Sequence, residues 1–324
     1  MGHELWLVKG GTMTNITPII GSISWKSNID ELGDQIDFDI AYNDSRFHPK
    51  NPCDLGDMVI LKNGDYEITR SIIVDETKQG RDPITYTSYD FAFYLNKSNA
   101  VYQFNKITAD QAIKKICKDF NVPIGKIVSM PTKINKIFND KKVSDIIKEI
   151  IGMAEQKQGI KYLMEMRQGK LFIEKQSDLI IKGTFKLAKN LSEVDVTAAI
   201  SNPSKKRSIT DMINSIQIVS NDKLILTKEN SSLVNKYGKL QKVVSLDQDE
   251  KRSASQIAQN ELKQLAKIVE ETSIELLGDD RVKSGRLLQL KEPITGIVGT
   301  YLIKDVGHTI SGGFHKMSLG LEVK

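Results

Sequence analysis

The chain has 324 residues, 40% hydrophobic and 27% charged, with a net charge of +5; this is the composition of a folded globular protein of two or three compact parts, and not of a disordered tail. No run approaches the roughly 18 apolar residues of a membrane span, and the start Met1-Gly2-His3-Glu4-Leu5-Trp6 lacks the apolar core of a secretory leader, so neither membrane insertion nor export by a leader is expected. The mild positive charge is scattered, whereas nucleic-acid binders concentrate it, and two cysteines in unlike contexts, Cys53 and Cys117, offer no disulfide framework and suggest assembly in a reducing cytoplasm.

Glu4 to Val8 reads as an opening strand that turns at Gly10-Gly11, followed by a second run from Ile19 to Lys26. Gln35-Ile36-Asp37-Phe38-Asp39-Ile40-Ala41 alternates strictly, which places Ile36, Phe38 and Ile40 on one face and the two aspartates on the other. Pro49 and Pro52 break the chain, and Gly56 opens a meander that runs to Tyr89. Thr108-Ala109-Asp110-Gln111 has the pattern of a capping box ahead of a helix with Ala112, Ile113, Ile116, Cys117 and Phe120 at helical spacing. A second helix is expected from about Ser144 to Gly159, and a hairpin over Gln168-Gly169.

The pattern returns to β at Val194-Asp195-Val196, Ser215 to Val219 and Leu224 to Leu226. A long helix, 253–271, is expected from the stripe Ile257, Ala258, Leu262, Leu265, Ala266 and Val269, with Ser253 and Gln256 as its capping box. Three runs then close the chain, from Gly285, from Gly299 and from Met317. The fold class expected is α+β, with two similar β-barrel-like domains, an intervening α+β domain and one long helix. The boundaries are 1–95, 96–186 and 187–324.

The two β units carry the sign of an internal repeat. Gly56 and Gly64 precede Tyr66 and Ile68 much as Gly285 and Gly299 precede Tyr301 and Ile303, so Gly-x-Tyr-x-Ile heads the middle strand in both. Equivalent strand arrangements are expected for 56–89 and 285–323, with the extra residues in a loop.

Candidate chemistry is sparse. His3, His48, His308 and His315 have neither the helical spacing of a zinc pair nor Cys-x-x-Cys partners, although facing strands around Ser311-Gly312-Gly313 could bring His308 and His315 together. Asp37 with Asp39, and Asp247 with Asp249, are acids of a wet strand face. Gly10-Gly11 and Gly312-Gly313 lack the Lys-Ser/Thr of a phosphate loop. Lys205-Lys206-Arg207 reads as a solvated loop tip, and Trp6, Trp25 and Phe38 as core. No catalytic centre, no metal and no cofactor are expected, and a binding or structural role fits better than an enzyme.

Several phrases, in their order, resemble a known family. They are Ile23-Ser24-Trp25-Lys26 with Gln35-Ile36-Asp37-Phe38; Thr108-Ala109-Asp110-Gln111-Ala112-Ile113; Ile213-Asn214-Ser215-Ile216; Tyr237-Gly238-Lys239-Leu240-Gln241; and Gly299-Thr300-Tyr301-Leu302-Ile303 with His308 and Met317-Ser318-Leu319. Together they resemble the hub proteins of contractile phage tails, in particular the XkdQ/YqbQ-type tail proteins of Gram-positive prophages and phage-tail-like bacteriocins. The resemblance covers nearly the whole chain. It implies a structural hub in the virion baseplate, a homotrimer whose paired barrels fit the sixfold tail tube above and the threefold spike below. Its partners would be the tail tube protein and a spike protein, with no sequence-specific nucleic acid, and any spike or lytic domain would be a separate chain. The alternative is a cell-wall hydrolase or wall-binding protein of the same particle.

Overall fold

Where apolar and polar residues alternate, the chain forms strands. The computed structural model describes residues 2–42, 50–181, 184–185, 194–195, 200–220, 223–245, 254–292 and 295–323. The first part consists of β1 (His3–Lys9), β2 (Thr12–Asn15), β3 (Ile20–Asn28), β4 (Gln35–Ile40), β5 (Met58–Asn63), β6 (Tyr66–Thr77) and β7 (Ile84–Tyr89). Next come α1 (Ala92–Lys97), β8 (Asn99–Thr108), α2 (Ala109–Asp119), β9 (Ile124–Ile127), β10 (Lys133–Lys142), α3 (Val143–Gln158), β11 (Tyr162–Arg167) and β12 (Lys170–Lys175). The short β13 (Ile180–Ile181), β14 (Thr184–Phe185) and β15 (Val194–Asp195) lead to β16 (Ser201–Ser208), β17 (Ser215–Ser220), β18 (Lys223–Glu229), α4 (Ser231–Tyr237), β19 (Gln241–Ser245) and α5 (Ala254–Leu265). β20 (Val269–Leu277), β21 (Leu287–Glu292), β22 (Ile297–Ser311) and β23 (Phe314–Val323) complete the chain. Strand outweighs helix, 54% to 20%, so the protein is mostly β, and the helices are gathered in the insert and the smaller unit.

The chain divides into two compact units, residues 1–203 with 273–324, and residues 204–272. The larger unit is built on one long sheet in which β20, β23, β22, β3, β4, β7, β6, β5, β1 and β2 follow one another. β3, β4, β7, β6, β5 and β1 curl around one apolar core that includes Leu5, Leu7, Trp25, Ile36, Phe38, Leu61 and Tyr86. β1 and β3 end this curl without sharing a ladder among the described residues, so the expected barrel is an open sheet. A second core, with Ile274, Leu276, Leu288, Tyr301, Ile303, Val306 and Leu319, lies under β20 to β23. The insert has its own core, in which α2 and α3 lay Ile113, Ile116, Ile146, Ile147 and Ile150 against Tyr102, Phe104 and Phe138 of β8 and β10. Gly159 ends α3 at φ +68°, the left-handed C-cap that glycine adopts without a Cβ penalty.

In the smaller unit β17 lies between β18 and β19, antiparallel to the first and parallel to the second. Ala258, Ile257 and Leu262 of α5 pack on Ile216 and Ile218 of β17.

Four local expectations change. α5 spans Ala254–Leu265, not 253–271, because from Val269 the period shifts to two: Thr272, Ile274 and Leu276 are buried while Glu271, Ser273 and Glu275 are exposed in β20. The Ser253 end of its expected capping box lies outside the described residues. Thr108 makes no side-chain cap to α2, since it is the last ladder residue of β8, opposite Lys133, and the Ala109 N–H donates to the Thr132 carbonyl at 2.9 Å. Lys205, Lys206 and Arg207 stand on strand β16, paired with Glu270 and Glu271. Trp6 is only half-buried, with Lys62 over its ring, while Trp25 and Phe38 are core.

Alternation along β22 gives a direct check on which face faces the core. Ile303 is 0% exposed and Val298 58%. Ile303→Ala is expected to cost about 2–5 kcal/mol in urea unfolding, and Val298→Thr no more than about 0.5 kcal/mol; similar losses from both would place the core elsewhere.

Candidate functional site

Residues far apart in sequence meet at three polar centres, each within one compact unit. The first lies on the seam where β4, β3, β22 and β23 run side by side, with Ile36 opposite Trp25, Trp25 opposite His308, and His308 opposite Met317. The Trp25 and His308 rings are stacked, 4.6 Å apart and 6° from parallel. Such a pair adds about 0.5–1.5 kcal/mol beyond its buried area.

His308 donates from Nε2 to the Val282 carbonyl oxygen at 3.0 Å, and its Nδ1 is 3.0 Å from Nε2 of His315. Burial holds His308 far below the ordinary imidazole range, at about 4, and also lowers His315. Asp280 completes the cluster: its Oδ1 is 2.7 Å from Nε2 of His3 and 3.7 Å from Nδ1 of His315, and its Oδ2 accepts from Asn63 Nδ2 at 2.7 Å. Burial acts to raise this carboxyl, but the hydrogen bonds from His3 and Asn63 outweigh it and hold it below its ordinary range. The ligand-type atoms of His3, Asp280 and His315 lie within 4.8 Å of one another. Sequence spacing hinted at His308 with His315 only, because His3 and Asp280 are 277 residues apart. His48, Asp247 and Asp249 lie outside the described residues.

A second centre, in the smaller unit, couples Ile213-Asn214-Ser215 to Tyr237-Gly238-Lys239-Leu240. The buried Asn214 side chain donates to the Gly238 carbonyl at 2.7 Å and accepts from the Leu240 N–H at 2.8 Å. Its full satisfaction explains a buried amide between a strand and the loop leading to β19.

The third centre joins the insert to the long sheet. Lys283 donates to Asp34 Oδ2 at 2.5 Å and to the Met166 carbonyl at 3.3 Å, while Arg286 holds Glu165 through both guanidinium amines at 2.7 and 2.9 Å. Asp90 accepts the Asp34 and Ala92 N–H groups on its two carboxylate oxygens. Burial opposes the Lys283 charge, but Asp34 and then Glu165 hold its ammonium above the ordinary value. Two carboxylates and one ammonium leave this buried group with surplus negative charge, and burial, then the Asp34 charge, push Asp90 up to about 7.

These centres orient elements; they do not resemble an activated nucleophile. Burial pushes both cysteine thiols up to about 12, which keeps them protonated at neutral pH. Asp37 accepts from Thr87 and Gln35, and Asp39 from the Ser22 N–H, as strand-face acids do. An open cleft of about 660 Å³ between the β3–β4 connection and α3 mixes Lys26, Lys142 and Lys148 with Asp30, Glu31 and Asp145.

The repeat positions fall on two meanders, β5-β6-β7 and β21-β22-β23, each with its long strand in the middle. Gly56 precedes β5, and Gly64 lies in the β5–β6 turn. Gly285 lies just before β21, and Gly299 is inside β22 opposite Leu290. Ile68 and Ile303 are both buried. Tyr66 follows its turn directly and is 49% exposed, whereas Tyr301 lies deeper along its strand, opposite Leu288, and is 2% exposed.

The Asp90 carboxyl gives a pH test. The folded chain keeps a proton that the unfolded chain releases near 3.8, so Asp90 stabilises fully below that pH and its contribution is lost as pH rises through about 7. Asp90→Asn is expected to be less stable overall, yet to lack the Asp90-dependent decline in denaturation midpoint between about pH 4 and pH 7 expected of the parent chain; equal slopes would mean Asp90 is ionised in the fold.

The family model described as YQBQ-like matches residues 23–322. The phage-like element PBSX protein XkdQ of Bacillus subtilis (strain 168) is 25% identical over 280 residues, covering 83% of this chain and 82% of that protein. Among solved structures, the 43 kDa tail protein of prophage MuSo2 from Shewanella oneidensis superposes with a TM-score of 0.71 at 13% identity, covering 98% of both chains. The E. coli c3393 protein, a component of the type VI secretion system with structural similarity to T4 tail proteins gp27 and gp5, superposes with a TM-score of 0.51 at 9% identity, covering 94% of this chain and 73% of that one. No helix among the described residues is long and apolar enough to cross a membrane. With a family model spanning all but its two ends and a tail-protein fold along its whole length, the chain belongs to the YqbQ-like family and is phage tail-like in structure.

Proposed function

We propose that this chain is a structural baseplate hub of a contractile phage tail or tail-like particle, and that three copies adapt a sixfold tail tube to a threefold spike. Its partners are then the tail tube protein and a spike protein, and it works without catalysis, assembled in the bacterial cytoplasm and retained in the baseplate. The observation that carries this reading is the pair of three-strand meanders, β5-β6-β7 and β21-β22-β23, placed in one sheet by the β3–β22 ladder. Two related units per chain are what three chains need to present six similar faces. In this reading Gly56, Gly64, Tyr66 and Ile68 are the counterparts of Gly285, Gly299, Tyr301 and Ile303, and the difference in burial of the two tyrosines reflects how far each stands from its turn. The parts 1–95, 96–186 and 187–324 are used as first β unit, insert and second β unit.

Physical motive for assembly comes from sheet edges. β2 ends the long sheet with a neighbour on one side only among the described residues, and an open edge invites pairing or cover. A ring closed by head-to-tail contacts would supply that cover between unlike faces of successive copies. XkdQ belongs by name to a phage-like element, and the prophage MuSo2 chain is a tail protein; both support a place in a tail.

Copy number in a baseplate reconstruction tests the proposal. Three chains per particle, between tube and spike, are expected. Six copies or one would sink the hub assignment, and clearing of a bacterial wall suspension by the pure chain would favour a wall hydrolase instead.

A further inference from the structure

We propose that His3, Asp280 and His315 form a binding site for one divalent transition-metal ion, with ligand atoms His3 Nε2, Asp280 Oδ1 and His315 Nδ1. The Val282 carbonyl can only accept, so the His308 nitrogen 3.0 Å from it, Nε2, carries the hydrogen. One hydrogen lies between His308 Nδ1 and His315 Nε2, 3.0 Å apart. With that hydrogen on His315, its Nδ1 is bare and faces Asp280 Oδ1 at 3.7 Å. His3 Nε2 reaches the same oxygen from the other side, at 2.7 Å. An ion would displace the hydrogen that His3 Nε2 donates to Asp280, and two imidazole nitrogens and one carboxylate oxygen, all within 4.8 Å of one another, would then converge on it.

The spacing suits such an ion. Ligands bound at about 2.0–2.1 Å in a tetrahedron stand roughly 3.3 Å apart; two of the three separations here, 2.7 and 3.7 Å, bracket that value, and all three ligand atoms lie within 4.8 Å of one another. The surrounding shell is also in place. His315 donates its second ring nitrogen to His308, and Asn63 Nδ2 holds the other Asp280 oxygen at 2.7 Å, the outer hydrogen bonds that orient metal ligands. Trp25 lies 5.6 Å from the His3 ring and 5.0 Å from the His315 ring. Gly278 is required against the His315 ring, because a Cβ there would come within 2.1 Å of it. Side-chain exposures of 11% for His3, 11% for Asp280 and 14% for His315 keep the cluster mostly buried while each side chain still touches solvent.

Two imidazoles and one carboxylate select the zinc, cobalt and nickel class over calcium or magnesium, which prefer all-oxygen shells. An ion here would tie the first strand, β1, to the last, β23, through the turn before β21. It would thus clasp the open end of the curl, an effect separate from copy number or particle role.

The test uses tag-free full-length chain stripped with chelator, titrated by calorimetry with zinc chloride alone and, in parallel, with cobalt chloride followed by visible absorption. One ion per chain, a cobalt spectrum with nitrogen–oxygen ligation and a higher melting temperature with zinc are expected. Asp280→Asn and His315→Gln should each abolish the binding while circular dichroism stays at the parent spectrum, and Asn63→Leu should weaken it by roughly 10–100-fold. His48→Ala should bind as the parent does. Absence of stoichiometric binding by the folded parent overturns the proposal. Binding that survives in folded Asp280→Asn or His315→Gln, or is lost in His48→Ala, overturns it as well. If either ligand variant fails to fold, the parent's cobalt spectrum decides: ligation without histidine nitrogen overturns the site.

Discussion

The ladder between β3 and β22 is the constraint on which the larger unit depends. β22 is 15 residues long and changes partner along its length: its first part pairs with β21, its second with β3, and β23 follows its other edge. One strand therefore belongs to both apolar cores, and its ladder with β3 runs from Asp305 opposite Asn28 to Ile310 opposite Ile23. Trp25 stacked on His308 marks this ladder from inside, a large apolar ring meeting a buried polar one whose nitrogens are both satisfied. Without the ladder β3 and the second half of β22 would each expose an edge, and nothing in the strands themselves would set their spacing.

Polar groups, more than apolar ones, fix how the insert meets the sheet. Lys283, Asp34, Asp90, Arg286 and Glu165 are largely removed from water and paired with one another or with backbone. Buried ion pairs of this kind add little net stability, because desolvation offsets their attraction, but removing one partner strands a charge. Their contribution is directional. A bidentate arginine on Glu165 and a lysine shared by Asp34 and the Met166 carbonyl admit few relative orientations, whereas an apolar contact admits many. For a protein that has to hold two sheet units and an insert in a fixed arrangement, that selectivity matters more than a few kcal/mol.

Much of the local structure was legible in sequence. Strict alternation in Gln35 to Ile40 gave β4 with its buried and wet faces, the isoleucine spacing after Ser144 gave α3, and Gln168-Gly169 gave the β11–β12 turn with both residues at positive φ. The misreadings have a common source in short windows. The stripe that ends α5 overlaps the start of the alternation of β20, and reading Val269 as its last member extended the helix. Thr108 fits a capping box, but tertiary pairing with Lys133 claimed its backbone first. Lys205-Lys206-Arg207 is polar throughout, and its strand character comes from its neighbour β20 and the paired glutamates.

The sequence by itself determined which segments are strands and helices, which of their faces are apolar, and the order of phrases that marks the family, since period, turn residues and composition are local properties. Only the tertiary structure decided that the two β units share one sheet, that the curl stays open, and that His3, Asp280, His308 and His315 come together. These depend on which strand edges pair. Edge pairing joins backbone groups that every residue carries, over separations such as the 277 residues between Asn28 and Asp305.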